Sequence, residues 1–137
     1  MINIEDLVDV EDANISEDDW KLYKVFKPVK IFGKEVESLF DIGIHKCWKL
    51  EDIIAKLKEH VSIVSDSKEQ LKNAYGDFMF IDVDDNWYDN IEIYKMLIKI
   101  NEDGTIDTRV DCGDDENIFN VYFNNNDIIN IMESKIR

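Results

Sequence analysis

The amino-acid sequence predicts an α+β fold, an antiparallel sheet made of an N-terminal hairpin and a C-terminal meander, packed against two or three helices. Three observations carry this. Strand-like runs are grouped at the two ends of the chain instead of alternating with helices, which is the α+β pattern and not the α/β one. The sustained helical periodicity falls in the middle, between Trp48 and Phe78. Apolar residues make up 45 % of the chain, including three Trp, five Tyr and seven Phe, while one proline and five glycines leave few breakers. At 137 residues the chain is expected to form one domain, residues 1–137.

The elements follow in order. Ile2, Ile4, Leu7, Val8 and Val10 interleave with acids and fit a short strand or a helical turn equally. Ser16 followed by Glu17, Asp18 and Asp19 resembles a helix N-cap with an acidic first turn, running to Trp20. From Lys21 the alternation of Tyr23, Val25, Val29 and Ile31 with lysines reads as strand, and Pro28 favours an edge or bulge there. Gly33-Lys34 is a tight turn and Val36 to Ile44 a second strand, so residues 29–44 are expected to form a hairpin. Trp48 to Val61 is a helix, because Leu50, Ile53, Ile54, Leu57 and Val61 recur at three- and four-residue steps. Ser65-Asp66-Ser67 caps a second helix with Leu71, Ala74, Tyr75 and Phe78 on its stripe, ending near or just past Gly76. Asp82 to Asn90 is a polar loop, and Ile91 to Ile100 is expected to start helical and continue extended. Asn101-Glu102-Asp103-Gly104 is the strongest turn signal, with Thr105 to Val110 as the return strand. Ile118 to Phe123 is a strand, Asn124 to Asp127 a turn, and Ile128 to Met132 a final strand or helix.

Charge narrows the function. With 31 acidic and 16 basic residues the chain carries −15. Phosphate backbones are bound by lysine and arginine that displace counterions, so the net field excludes generic nucleic-acid binding. It also repels an anionic membrane surface. Basic proteins and cations remain as compatible partners, alongside the alternative that acidity serves solubility alone. The acidity is uneven: residues 1–20, 21–60, 61–100 and 101–137 carry −8, +3, −4 and −6. The N-terminal residues have neither a basic region nor an apolar stretch of the secretory type, and the densest apolar run, around Ile91 to Ile100, is too short to span a bilayer. A cytoplasmic protein is expected. Cys47 and Cys112 are two thiols and no framework, and are expected to be buried and reduced.

The candidate site residues are acidic and aromatic. Asp82, Asp84, Asp85, Asn86 and Asp89 invite a calcium reading, since alternate oxygen ligands suit a hard cation. Against the EF-hand loop, Asp82, Asp84 and Asn86 match its first, third and fifth positions. Trp87 stands where the turn glycine belongs, and Ile93 where the bidentate glutamate belongs. A solvated loop, or a docking point for basic side chains, therefore fits better. Asp111, Asp114, Asp115 and Glu116 form a second acidic loop around Gly113. Trp87 and Tyr88 beside Asp85 and Asp89 add the aromatic chemistry typical of binding hot spots, unless Trp87 belongs to the core. His45 and Cys47, with His60 and Cys112 elsewhere, fall short of a zinc ligand set, so no metal or other cofactor is expected. No nucleophile elbow, phosphate-binding glycine loop or dinucleotide fingerprint occurs, and abundant carboxylates single out no catalytic pair. The chain is read as a non-enzyme.

The layout of the C-terminal half carries a resemblance. A helix ends near Tyr75, a loop with Asp85-Asn86-Trp87 follows, then an apolar segment through Met96-Leu97-Ile98-Lys99-Ile100, a Gly104 turn, an acidic strand reaching Cys112-Gly113, and the strand Asn120-Val121-Tyr122-Phe123. Over about residues 45–132 this resembles small bacterial domains grouped with the immunity proteins of polymorphic toxin systems. The histidine expected near the last apolar strand is absent. The resemblance implies a cognate toxin neutralised in a tight complex. Combined with the charge, the expected function is a protein-binding inhibitor acting on a basic toxin, a nuclease among the candidates. Asp82, Asp84, Asp85, Trp87, Tyr88, Asp89, Asp114, Asp115 and Glu116 would contact that partner. The competing readings are a calcium- or cation-binding sensory domain built on the Asp82–Asp89 loop, and a structural interaction module.

Overall fold

The structure is a computed structural model that describes residues 4–9, 20–36, 39–79, 89, 91–114 and 118–133. A 3-10 turn at Ile4–Asp6 leads into β1 (Leu7–Asp9), followed by β2 (Trp20–Val25), β3 (Val29–Ile31), β4 (Lys34–Val36) and β5 (Leu39–His45). Two helices come next, α1 (Leu50–Ser65) and α2 (Lys68–Met79). The chain ends in β6 (Glu92–Ile100), β7 (Ile106–Gly113), β8 (Ile118–Asn124) and β9 (Asp127–Glu133). Seven strands form one sheet in the order β1-β2-β5-β6-β7-β8-β9, and β3 and β4 form a separate two-stranded ribbon. The α+β class holds.

Several local expectations change. The turn at Phe32-Gly33 has both residues in the left-handed region (φ 53° and 86°), as a two-residue hairpin turn requires. It joins β3 to the short β4 only, so the hairpin covers residues 29–36. β5 is a separate strand that pairs antiparallel with β2 and parallel with β6. The segment Ile91 to Ile100 contains no helix; β6 runs through Glu92–Ile100. Its apolar positions Ile91, Ile93, Met96, Ile98 and Ile100 change parity because Ile93 pairs with Cys112 while Lys95 pairs with Asp111, leaving Tyr94 as an extra residue in a β-bulge. The mixture of two- and three-residue steps imitates a helical stripe. Trp20 opens β2 instead of closing a helical turn, and Ser16–Asp19 lie outside the described residues. Both cysteines are free as expected, but only Cys112 is buried; Cys47 is exposed.

The parallel β5–β6 pair needs a crossover, and α1 and α2 supply it. The helices bury one face of the sheet. Ile53, Leu57 and Val64 of α1 and Leu71 and Tyr75 of α2 form one core with Ile42, Ile44, Met96, Ile98, Val110, Phe119, Val121 and Phe123. His60 also sits in this core at 2 % exposure, its Nε2 2.6 Å from Thr108 Oγ1. Gln70 Oε1 accepts a hydrogen bond from the Ile128 backbone N–H, which occupies part of β9 with α2 instead of leaving it to pair with another chain.

The β6–β7 turn is the most tightly specified loop. Asp103 Oδ1 accepts from the Thr105 N–H (2.9 Å) and hydroxyl (2.7 Å), and these bonds hold its carboxyl below the usual aspartate range. Gly104 has φ 86°, and a Cβ there would lie 3.2 Å from Lys56 Nζ. Gly104→Ala is expected to destabilise the protein by about 1–2 kcal/mol, since an L side chain is strained in this region. The check is a lowered urea midpoint at unchanged slope.

Candidate partner-binding surface

Side chains that alternate with the core residues stand on the sheet face turned away from the helices. A charge ladder crosses it. Asp41 is held by Lys24 and Lys95, both at 3.2 Å, and Asp111 by Arg109 at 3.0 Å. Trp20 and Leu22 lie over Gly43 on the same face, and Lys99 Nζ sits 4.4 Å from the centroid of the Trp20 ring. The basic residues of this face are thus engaged locally. Lys24, Lys95 and Arg109 offset Asp41 and Asp111.

That end is where β6 begins and β7 stops. Glu92 and Gly113 are register partners, so the chain enters β6 and leaves β7 at neighbouring positions, about 5 Å apart. Asp89 precedes Glu92 by three residues and Asp114 follows Gly113 directly, so these two acids flank the pair in the chain. Asp82, Asp84, Asp85, Trp87, Tyr88, Asp115 and Glu116 lie outside the described residues. Asp89 is exposed. Asp114 is half-buried, and its Oδ2 accepts a 2.5 Å hydrogen bond from the Tyr75 hydroxyl, which ties the β7 end to α2.

The structure adds residues that the sequence reading did not single out. Tyr94, placed by the β6 bulge, lies across Gly113. A Cβ on that glycine would come within 2.6 Å of the Tyr94 hydroxyl, so only glycine leaves the ring this position. Tyr94 Oη donates to Glu92 Oε2 at 3.1 Å. Burial first, then the bond to Glu92 and the negative charge of Glu92 and Asp114, raise its phenol pKa. Tyr94 is 42 % exposed, Ile118 beside Gly113 on β8 is 47 % exposed, and Met132 opposite Asn120 on β9 is 52 % exposed. All three project from the face opposite the helices, with Glu92 and Asp89 exposed nearby in the chain. An aromatic and two flexible or branched apolar side chains with acids around them suit a partner that offers apolar contact and Lys or Arg. One signal of this surface was present in the sequence, the parity slip between Ile93 and Met96. The exposure of Ile118 and Met132 had no sequence signal, because apolar residues on strands are ordinarily read as core.

Among the described residues no three His, Cys, Asp or Glu side chains are grouped so as to hold a metal ion. His45 Nε2 lies 4.0 Å from Glu102, and His45 Nδ1 accepts from the Cys47 N–H at 3.2 Å, so the neutral ring carries its proton on Nε2. Among the described residues no helix is long and apolar enough to cross a membrane. Comparison of the chain with protein-family models, with curated proteins and with solved structures finds no match.

Proposed function

We propose that this chain is a protein-binding inhibitor of the immunity type, which docks an acidic, aromatic-bearing surface on a basic protein such as a toxin domain and acts in the cytoplasm. The observation that supports the reading is the register pairing of Glu92 with Gly113, which sets exposed Glu92 beside the strand end that leads into Asp114, with Tyr94 and Ile118 exposed around it. Charges must cluster to steer a partner, since their field fades over about 8 Å at physiological ionic strength. Clustered acids raise association with a basic partner toward about 10⁸–10⁹ M⁻¹s⁻¹ at low salt. Tyr94, Ile118 and Met132 supply the apolar contact that slows dissociation once charge has brought the partners together.

The test is affinity capture on the immobilised chain at low salt, with retained proteins identified by mass spectrometry. A strongly basic protein is expected to be enriched. Its recovery should fall roughly tenfold or more when Asp84, Asp85, Asp114 and Asp115 are reversed to Lys, a loss of at least about 1.4 kcal/mol. Tyr94→Ala should lower recovery several-fold with the urea midpoint unchanged. If no basic protein is enriched, or the reversed variant captures as well as the native chain, the reading is wrong.

A further inference from the structure

The helix side of the molecule carries a second, oppositely charged feature. A recess of about 330 Å³ opens between the β2–β3 connection and α1. Lys27, Lys30 and Lys58 line it against a single acid, Glu35, while Pro28 and Val61 supply apolar walls. This is a local excess of positive charge in a chain of −15. The lysines differ in how they are used. Lys27 Nζ is held by Asp6 at 2.8 Å. Lys30 is exposed, Lys58 is half-buried, and neither forms an ion pair with a described residue. Glu35 is the register partner of Lys30 on β4 and offsets only part of this charge. Ser62 and Ser65 of α1 add hydroxyl donors at the wall. One residue before Lys27, Phe26 is 68 % exposed, the most exposed large hydrophobic side chain among the described residues.

From this combination we infer that the recess is a docking site for a short acidic peptide segment of another protein, with Lys30 and Lys58 pairing its carboxylates and an apolar side chain of the peptide seated against Pro28, Val29 and Val61. The chemistry selects among anions. An extended polyanion such as nucleic acid would meet the net negative field of the whole chain. A short peptide senses only the charges within about a Debye length, roughly 8 Å at physiological salt. A free phosphate is favoured by backbone N–H groups or an arginine fork, whereas here the wall holds a proline, which has no N–H, and apolar side chains. This site is separate from the acidic end of the sheet and does not rest on the function proposed for it.

The experiment is fluorescence anisotropy of a labelled Glu-rich peptide carrying one Phe, titrated with the full chain at about 0.1 M salt, where the Debye length is about 10 Å. Saturable binding is expected. Lys30→Glu with Lys58→Glu should weaken it roughly tenfold or more, and either reversal alone several-fold, while Lys72→Glu on α2, the same charge change as either single reversal but away from the recess, should leave it unchanged. If the double reversal perturbs the urea midpoint, Lys30→Gln with Lys58→Gln replaces it, with a several-fold loss expected. No saturable binding, equal weakening by Lys72→Glu, or displacement of the peptide by equimolar inorganic phosphate would overturn the inference. The Asp-to-Lys reversals that test the acidic surface should not weaken peptide binding, so the two readings fail separately.

Discussion

Phe119→Ala is expected to destabilise the fold by about 3–5 kcal/mol, the range for removing a fully buried aromatic side chain when the neighbours relax only in part. Phe119 has no exposed surface. Its ring packs on Tyr75 (5.5 Å between centroids) and on Phe78 (6.1 Å), so it is the point at which the C-terminal half of α2 rests on β8. The truncation leaves a void under α2 and loosens Tyr75, whose hydroxyl holds Asp114. Stability and the acidic end of the sheet should therefore suffer together. Urea unfolding would show a lower midpoint at unchanged slope. Phe26→Ala, which removes the same side chain from a site 68 % exposed, should change stability by less than about 0.5 kcal/mol. Equal losses for the two variants would mean that Phe119 is not a core anchor.

The second large effect is pH-dependent. Burial pulls the His60 imidazole down from 6.5 to about 4, opposed in part by the Asn125 backbone carbonyl, which accepts from the ring. The folded state therefore prefers neutral His60, while the unfolded state takes up its proton near 6.5. Between about pH 6.5 and 4 the unfolded chain binds more protons, so this contribution to stability is complete above pH 6.5 and shrinks as pH falls through that window. Each unit is worth about 1.4 kcal/mol, which makes the full loss about 3 kcal/mol and the loss by pH 5 about 2 kcal/mol. The groups around the ring modulate this: Lys56, Glu59 and Asp103 line the recess beside His60, and Thr108 takes its Nε2. Protonation of carboxylates relieves the repulsion of a chain at −15 and acts in the opposite direction. The His60 contribution is isolated by comparing the native chain with His60→Gln at pH 7 and pH 5. The native chain should lose about 2 kcal/mol more than the variant over this interval. Parallel pH dependences would show that His60 does not titrate as a buried group.

Much of the architecture could be read along the chain because it is set by local chemistry. The α1 stripe of Ile53, Leu57 and their neighbours states its own burial, since a 3.6-residue period has one dry face. Gly33, Gly104 and Asn125 mark turns because few side chains tolerate positive φ. The strand-helix-strand grouping then gives the class. Pairing between distant strands is a different matter. Whether β5 joins β4 or β2, and that it lies parallel to β6, depends on which buried faces fit across about fifty residues of intervening chain. No local pattern encodes that choice.

The candidate surface divides along the same line. The sequence by itself determined how much acid the chain carries, in which segments, and that lysines concentrate in residues 21–60. Only the tertiary structure decided which charges cancel and which gather. The sheet sets Lys24, Lys95 and Arg109 beside Asp41 and Asp111. It sets Glu92 beside Gly113, next to Asp114, and it leaves Lys30 and Lys58 facing a recess. The physical reason is range. Charges act through space over about a nanometre, so their meaning depends on neighbours that folding supplies from anywhere in the chain.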